Sequence, residues 1–233
     1  MPMNEPAADS PAVSWREQAV ARSLDSARTR AENRVQRFID AALELMNDSP
    51  SGKDFTVQDI LATSGQSLRA FYQYFGGKQE LLLAVFEESV RSTAESLRER
   101  IGDEPSALER LHRFVVEYYW LCHPTAKKTG KKKRSLALAE FAQQLMTTRP
   151  MEATRVYAPV VSLFEDVLED AVAAGVVRVE LSRRRVAGVI LEAIMFNAFS
   201  TTISGSSAEQ DGGDPAEELW DMVLHGIGSG SSD

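Results

Sequence analysis

A single cysteine, Cys122, leaves this sequence no internal disulfide to form, which excludes the stapled-loop architecture of small secreted domains. Long apolar runs are missing too, and none approaches the roughly 18 residues that would cross a bilayer. The opening MPMNEPAADSPAVS lacks a basic region followed by an apolar core, so no secretory signal is expected and the protein is expected in the cytoplasm. Catalytic signatures are scarce. There is no Gly-rich phosphate loop closing on Lys-Ser/Thr and no Gly-x-Ser-x-Gly. Cys122-His123 is a lone adjacent pair, and His112 and His225 stand apart, so neither a zinc site nor an activated thiol is indicated. The expectation is a non-enzyme with no metal and no cofactor.

What is present is an ordinary globular composition: 233 residues, 43% apolar and 26% charged, enough chain for one large domain or two modest ones. The net charge of −8 argues at first against a nucleic-acid partner, but it is unevenly spread. From Ser14 to Glu80 nine basic residues balance nine acidic ones, so the whole excess lies elsewhere. A phosphate backbone responds to the local face, because charges beyond about 8–10 Å are largely screened. Acidity of the whole chain therefore does not exclude DNA.

The patterning is helical throughout, with no competing strand-like alternation and no internal repeat. Residues 1–13 read as a disordered tail, and 14–30 as a basic arm of partial helical order opened by the capping pattern Ser14-x-x-Glu17. Its Arg16, Arg22, Arg28 and Arg30 either reach a groove or phosphates or are simply solvated. A firm helix then runs to about Met46. Short helices follow at 56–64 and 67–75, then a long one from Lys78 to Ile101 and another over about 105–122. Further helices are expected over 135–147 and 151–174, the second kinked at Pro159 and capped by Gly175. The last two begin at Ser182 and at Pro215. The expected division is an arm over 1–25, a helix-turn-helix domain over 26–80, a larger helical domain over 81–228 and a disordered tail over 229–233.

The stretch TVQDILATSGQSLRAFYQYFGGKQELL carries the chemistry. Two short helices joined at Gly65 form a helix-turn-helix, whose second helix enters the DNA major groove with its N-terminal residues on base edges. Those residues are Ser67, Leu68, Arg69 and Ala70, with Gln73 one turn on and Gln66 in the turn. Arg69 has the donors for guanine O6 and N7, and Gln73 can pair with adenine. Leu68 shares the face of Phe71 and Phe75, so it either packs there or touches a thymine methyl. Thr56, Ser67, Tyr72, Tyr74 and Lys78 offer hydroxyl or ammonium groups to phosphates.

The spacing of Thr56, Gly65, Ser67, Phe71, Tyr72, Tyr74, Phe75, Lys78 and Leu81 resembles the DNA-binding segment of TetR-type (tetracycline-repressor-like) transcriptional regulators, over residues 33–82. Gln66 and Leu61 depart from that pattern, which has an apolar turn residue and a small one in the first short helix. The resemblance implies an all-α protein: a three-helix helix-turn-helix domain followed by a helical domain that dimerises and binds a small effector. On that reading the protein is a homodimeric, ligand-responsive regulator, a repressor released by a hydrophobic small molecule from an operator of inverted half-sites. The alternative is a helical small-molecule-binding protein without DNA function.

Residues suited to the effector pocket are Phe114, Tyr118, Tyr119, Phe141, Met146, Tyr157, Phe164, Met195, Phe196 and Phe199, each of which is also an ordinary core residue by type. The apolar helix after Ser182 and the last helix supply a four-helix dimer interface through Val189, Ala193, Phe196, Leu219, Trp220, Val223 and Leu224. The basic run KKTGKKKR, residues 127–134, reads by default as a solvated loop. Beside an apolar pocket it could instead hold the phosphates of an acyl-coenzyme A, or touch the DNA backbone.

Overall fold

Phe38, Phe71 and Phe75 meet edge-on at the centre of the N-terminal region, with ring centroids 5.5 Å apart for Phe38–Phe71 and 6.0 Å for Phe38–Phe75. This aromatic knot fixes two helices to one another in the computed structural model, which describes residues 14–48, 55–123, 136–178, 182–204 and 213–227. The basic run 127–134, the loop around 205–212 and both chain ends lie outside the described residues.

Among the described residues there are nine helices and no strand: α1 (Trp15–Asp48), α2 (Val57–Ser64), α3 (Leu68–Tyr74), α4 (Lys78–Gly102), α5 (Ala107–Cys122), α6 (Leu136–Thr148), α7 (Pro150–Ala173), α8 (Arg183–Ser204) and α9 (Pro215–Ile227). The fold is all-α. α1 packs on α2 and α4, and α2 on α3. α4 continues from that cluster to pack on α5, α6 and α7, while α5 and α7 also carry α8, and α5 carries α9.

Local chemistry explains the boundaries. Thr56 caps α2 in a reciprocal box, its hydroxyl accepting from the Asp59 N–H (3.3 Å) while the Asp59 carboxylate accepts from the Thr56 N–H (2.7 Å). Phe55 and Ile60 are both buried, as a staple across that cap requires. Ser67 caps α3 by accepting from the Ala70 N–H (3.2 Å), and Ser106 caps α5 from Glu109 (3.1 Å). Gly65 and Gly175 close α2 and α7 at φ of 65° and 72°, the left-handed conformation that a Cβ disfavours.

One expectation changes. α1 is one helix of 34 residues that runs without a break through the boundary expected at residue 25. Ser14 opens it with its N–H donating to Glu17 Oε2 (2.9 Å), and an Arg28–Glu32 pair (2.7 Å) braces it. Pro159 lies inside α7, on an exposed turn.

Candidate nucleic-acid interface and internal cavity

The turn at Gly65 and the knot of Phe38, Phe71 and Phe75 together decide which side chains α3 shows outward. With Phe71 fully buried and Phe75 nearly so, the opposite face presents Ser67, Leu68, Arg69, Tyr72 and Gln73, all exposed. Tyr72 is 58% exposed although its ring also meets Phe71 edge-on at 5.4 Å. Arg69 has no ion pair among the described residues, so its guanidinium is unengaged.

Several expected contacts stand differently. Ala70 is buried: its methyl turns into the core beside Phe71 and is not presented to a groove. Leu68, sharing that face on paper, is nevertheless 44% exposed, because as the first residue of α3 it lies a turn beyond the packed rings. Tyr74 and Gln66 are half-buried, and Tyr74 packs against the core. Thr56 is exposed, its hydroxyl engaged with Asp59. The Thr56 N–H first, and then its hydroxyl, hold the Asp59 carboxyl below the usual carboxylate range. Lys78 donates from Nζ to the Phe55 carbonyl (2.6 Å) and sits 4.0 Å over the Phe55 ring. It ties the start of α4 to the start of α2.

One turn further along α4 the environment changes. Leu81 and Val85 are fully buried, and the helix then turns Phe86, Ser89, Val90 and Thr93 toward a cavity of about 90 Å³. Tyr118 and Cys122 of α5, Leu138, Ala139, Ala142, Gln143 and Met146 of α6, Tyr157 and Val160 of α7, and Met195 and Phe196 of α8 complete its wall. Among the described residues no charged side chain lines it. The Thr93 hydroxyl donates back to the Ser89 carbonyl (2.7 Å), and the Tyr157 hydroxyl meets Met195 Sδ at 3.1 Å. Its lining includes Tyr118, Met146, Tyr157, Val160 and Met195, which also line a groove of about 650 Å³ between α7 and α8. The two are therefore neighbours, and Glu165, Arg184 and Glu192 also line the groove.

Five expected pocket residues, Tyr118, Met146, Tyr157, Met195 and Phe196, are thus brought together there. Four are not. Phe114 and Phe164 stack on each other at 4.4 Å in the solid core, Tyr119 is buried with its ring edge-on to Trp120, and Phe141 packs edge-on against Phe86 at 5.9 Å. Burial, then the carboxylates of Asp214 and Glu218, raise the Tyr119 phenol above its ordinary range. The side chain of Phe199 lies outside the described residues. Sequence reading missed the α4 wall, although Ser89 and Thr93, four apart within an apolar stripe, were its visible signal.

On α8, Val189 is 62% exposed and Phe196 48%, with Ala193 exposed between them. On α9, Leu219, Trp220 and Leu224 are half-buried and Val223 is buried. The Trp220 ring rests on His112 of α5 at 5.1 Å.

Capped short helices around a left-handed glycine, with an outward face of polar and cationic groups, form a helix-turn-helix of the kind that DNA-binding proteins use. Residues 38–85 match the bacterial regulatory proteins of the tetR family. Over that segment the chain carries the DNA-binding domain of TetR-type transcriptional regulators. The fold agrees over most of its length. The fatty acid degradation regulator FadR from Bacillus halodurans superposes with a TM-score of 0.63 at 16% identity, covering 82% of this chain and 98% of that one. FadR from Bacillus subtilis, solved in complex with stearoyl-CoA, gives 0.59 at 18%, covering 82% and 95%. A TetR family transcription regulator from Marinobacter aquaeolei VT8 gives 0.58 at 16%, covering 86% and 98%. No match is found among curated proteins. Among the described residues no helix is long and apolar enough to cross a membrane, and no group of three or more His, Cys, Asp or Glu is placed to hold a metal.

Proposed function

We propose that the protein is a cytoplasmic, homodimeric repressor that leaves an inverted-repeat operator when a hydrophobic small molecule fills the cavity. The observation that carries this is the course of α4. Lys78 anchors its first turn to the helix-turn-helix, and Phe86, Ser89, Val90 and Thr93, two to four turns on, form a wall of the cavity. A ligand that shifts this wall also shifts the recognition helix. Release needs only that the ligand favour one α4 position over the other by a few kcal/mol.

In this reading Arg69 and Gln73 face base edges, with Leu68 beside them. Ser67, Tyr72 and Thr56 meet phosphates, while Tyr74, Gln66 and Lys78 position the reading helix. Val189, Ala193 and Phe196 of α8 form the two-fold contact with α9. No catalytic role is assigned to any residue. An acyl-coenzyme A is the effector class that fits best. The apolar lining of the cavity suits an acyl chain, and the Bacillus subtilis neighbour was solved with such a ligand. The basic run 127–134 is a candidate for its phosphates.

Selection of bound duplexes from a random pool by the purified protein tests the reading. An enriched inverted repeat, released by acyl-coenzyme A but not by coenzyme A alone, is the expected result. No enrichment, with no salt-sensitive binding, would leave a ligand-binding protein without DNA function. An enriched repeat indifferent to every acyl chain length would remove the effector class and keep the regulator.

A further inference from the structure

The first half of α1 stands clear of the core. Every residue from Trp15 to Arg30 is exposed, and packing begins only around Ala31 and Val35. At about 100° per residue, Arg16, Arg30, Arg34 and Arg37 fall within about 60° of the helix circumference. The acids between Trp15 and Arg37 are Glu17, Asp25 and Glu32, all on another side of the helix. Arg28 stands on that acidic side and is spent on Glu32 (2.7 Å). The next acid along, Asp40, accepts from Gln36 (3.0 Å). Among the described residues none of the four stripe arginines pairs with a carboxylate; Arg30 Nε donates only to the Ser26 carbonyl (3.0 Å).

We propose that this arginine stripe of α1 is a second DNA-binding element, lying along the phosphate backbone beside the half-site read by α3. The stripe is continuous with the DNA-binding domain, since Arg34 and Arg37 flank Phe38, the residue that braces Phe71 and Phe75. It spans roughly 30 Å, reckoned at 1.5 Å per residue, and so reaches well past one half-site. Four like charges along one face, with no carboxylate on that face to balance them, match the regular spacing of charge on a nucleic-acid backbone. A membrane surface fits less well, because Trp15 lies about 140° around the helix from Val20 and the large apolar groups do not share a face. A dimer seam would have only Val20 and Leu24 to bury. The match to the tetR family begins at Phe38 and the wider sequence resemblance at residue 33, so Arg16 and Arg30 lie outside the segment shared with it.

The inference rests on the protein binding DNA, and the test separates the two. Affinity of the full chain for a random-sequence duplex is measured against salt, for the unaltered protein and for Arg16→Gln/Arg30→Gln/Arg34→Gln/Arg37→Gln. These sites are exposed and glutamine keeps the helix, which circular dichroism checks. The slope of log K against log salt should flatten by about 0.9 for each phosphate that the variant no longer neutralises, or about 3–4 in all. Arg22→Gln/Arg28→Gln, off the stripe, should leave the slope within about 0.5 of the unaltered value on the same scale. A quadruple variant with an unchanged slope overturns the stripe alone, and so does an equal flattening per residue in the control pair. Loss of binding to anionic phosphatidylserine vesicles with DNA affinity intact also overturns it, in favour of a membrane. An unaltered protein that binds no duplex at any salt overturns the DNA-binding reading itself.

Discussion

Arg69 stands on the outward face of α3 without a paired carboxylate, so its planar donors are free to meet a base edge two at a time. Arg69→Ala should reduce the preference for the selected operator over random duplex by about 1–3 kcal/mol while leaving random-duplex affinity nearly unchanged. Competition binding reads this directly, and equal losses on both duplexes would make Arg69 a phosphate contact. His123 is the residue with a pH signature. Burial pushes its imidazole below the usual value of 6.5, because the charged form is the one that burial penalises. A folded pKa lower than the unfolded one means that the contribution is fully present above about pH 6.5 and is lost as pH falls through the lower folded value. Thermal melting between pH 7.5 and 5.5 should therefore show a steeper loss of stability for the unaltered protein than for His123→Gln. Parallel curves would show that His123 titrates no differently in the folded chain.

Among the helices, α4 couples most. Its Lys78 was expected at a phosphate, yet the structure turns Nζ to the Phe55 carbonyl, at the threshold of α2. Lys78→Ala should lower stability by about 1.5–3 kcal/mol, the net value of a hydrogen bond with a charged donor, and weaken binding to all duplexes alike. A phosphate contact would do the second without the first. Hydrogen exchange at the Ile60 amide, whose N–H donates to the Thr56 carbonyl at 3.2 Å, should therefore speed up in the variant. Unchanged protection there would return Lys78 to a backbone-contact role. Element boundaries were legible in the sequence because caps are local: Thr56 with Asp59, Ser67, Gly65 and Gly175 each mark an end through neighbours three or four residues away. What was not legible depends on distant partners. Ala70 is buried only because α1 brings Phe38 over Phe71, and Ser89 lines a cavity only because α6 and α8 close the other side. Neither α1's helical course before residue 26 nor the separation of Phe114 and Phe164 from the cavity wall could be read from periodicity, which is the same for core and pocket.

At the scale of the molecule, one chain supplies one recognition helix, and an inverted repeat requires two in a fixed relation. The surface that could impose it is the outer face of α8, where Val189, Ala193 and Phe196 recur at helical spacing and remain exposed. A helix apolar around most of its girth is not satisfied by covering one side, and a stable two-fold contact needs about 1,200–2,000 Å² of total buried surface. Phe196 is an ambiguous probe of this face, since it also lines the cavity; Val189 does not. Val189→Glu should therefore place two like charges near the two-fold axis and shift the protein toward monomer in sedimentation equilibrium. It should also cost operator affinity far more than random-duplex affinity, because the second half-site goes unread while each chain keeps its own charge. Effector binding, measured on the monomer, should persist, since the cavity wall comes from one chain. A Val189→Glu protein that remained dimeric at the unaltered affinity would move the two-fold contact off this face of α8, and the spacing of the half-sites would then have to be set by another pair of helices.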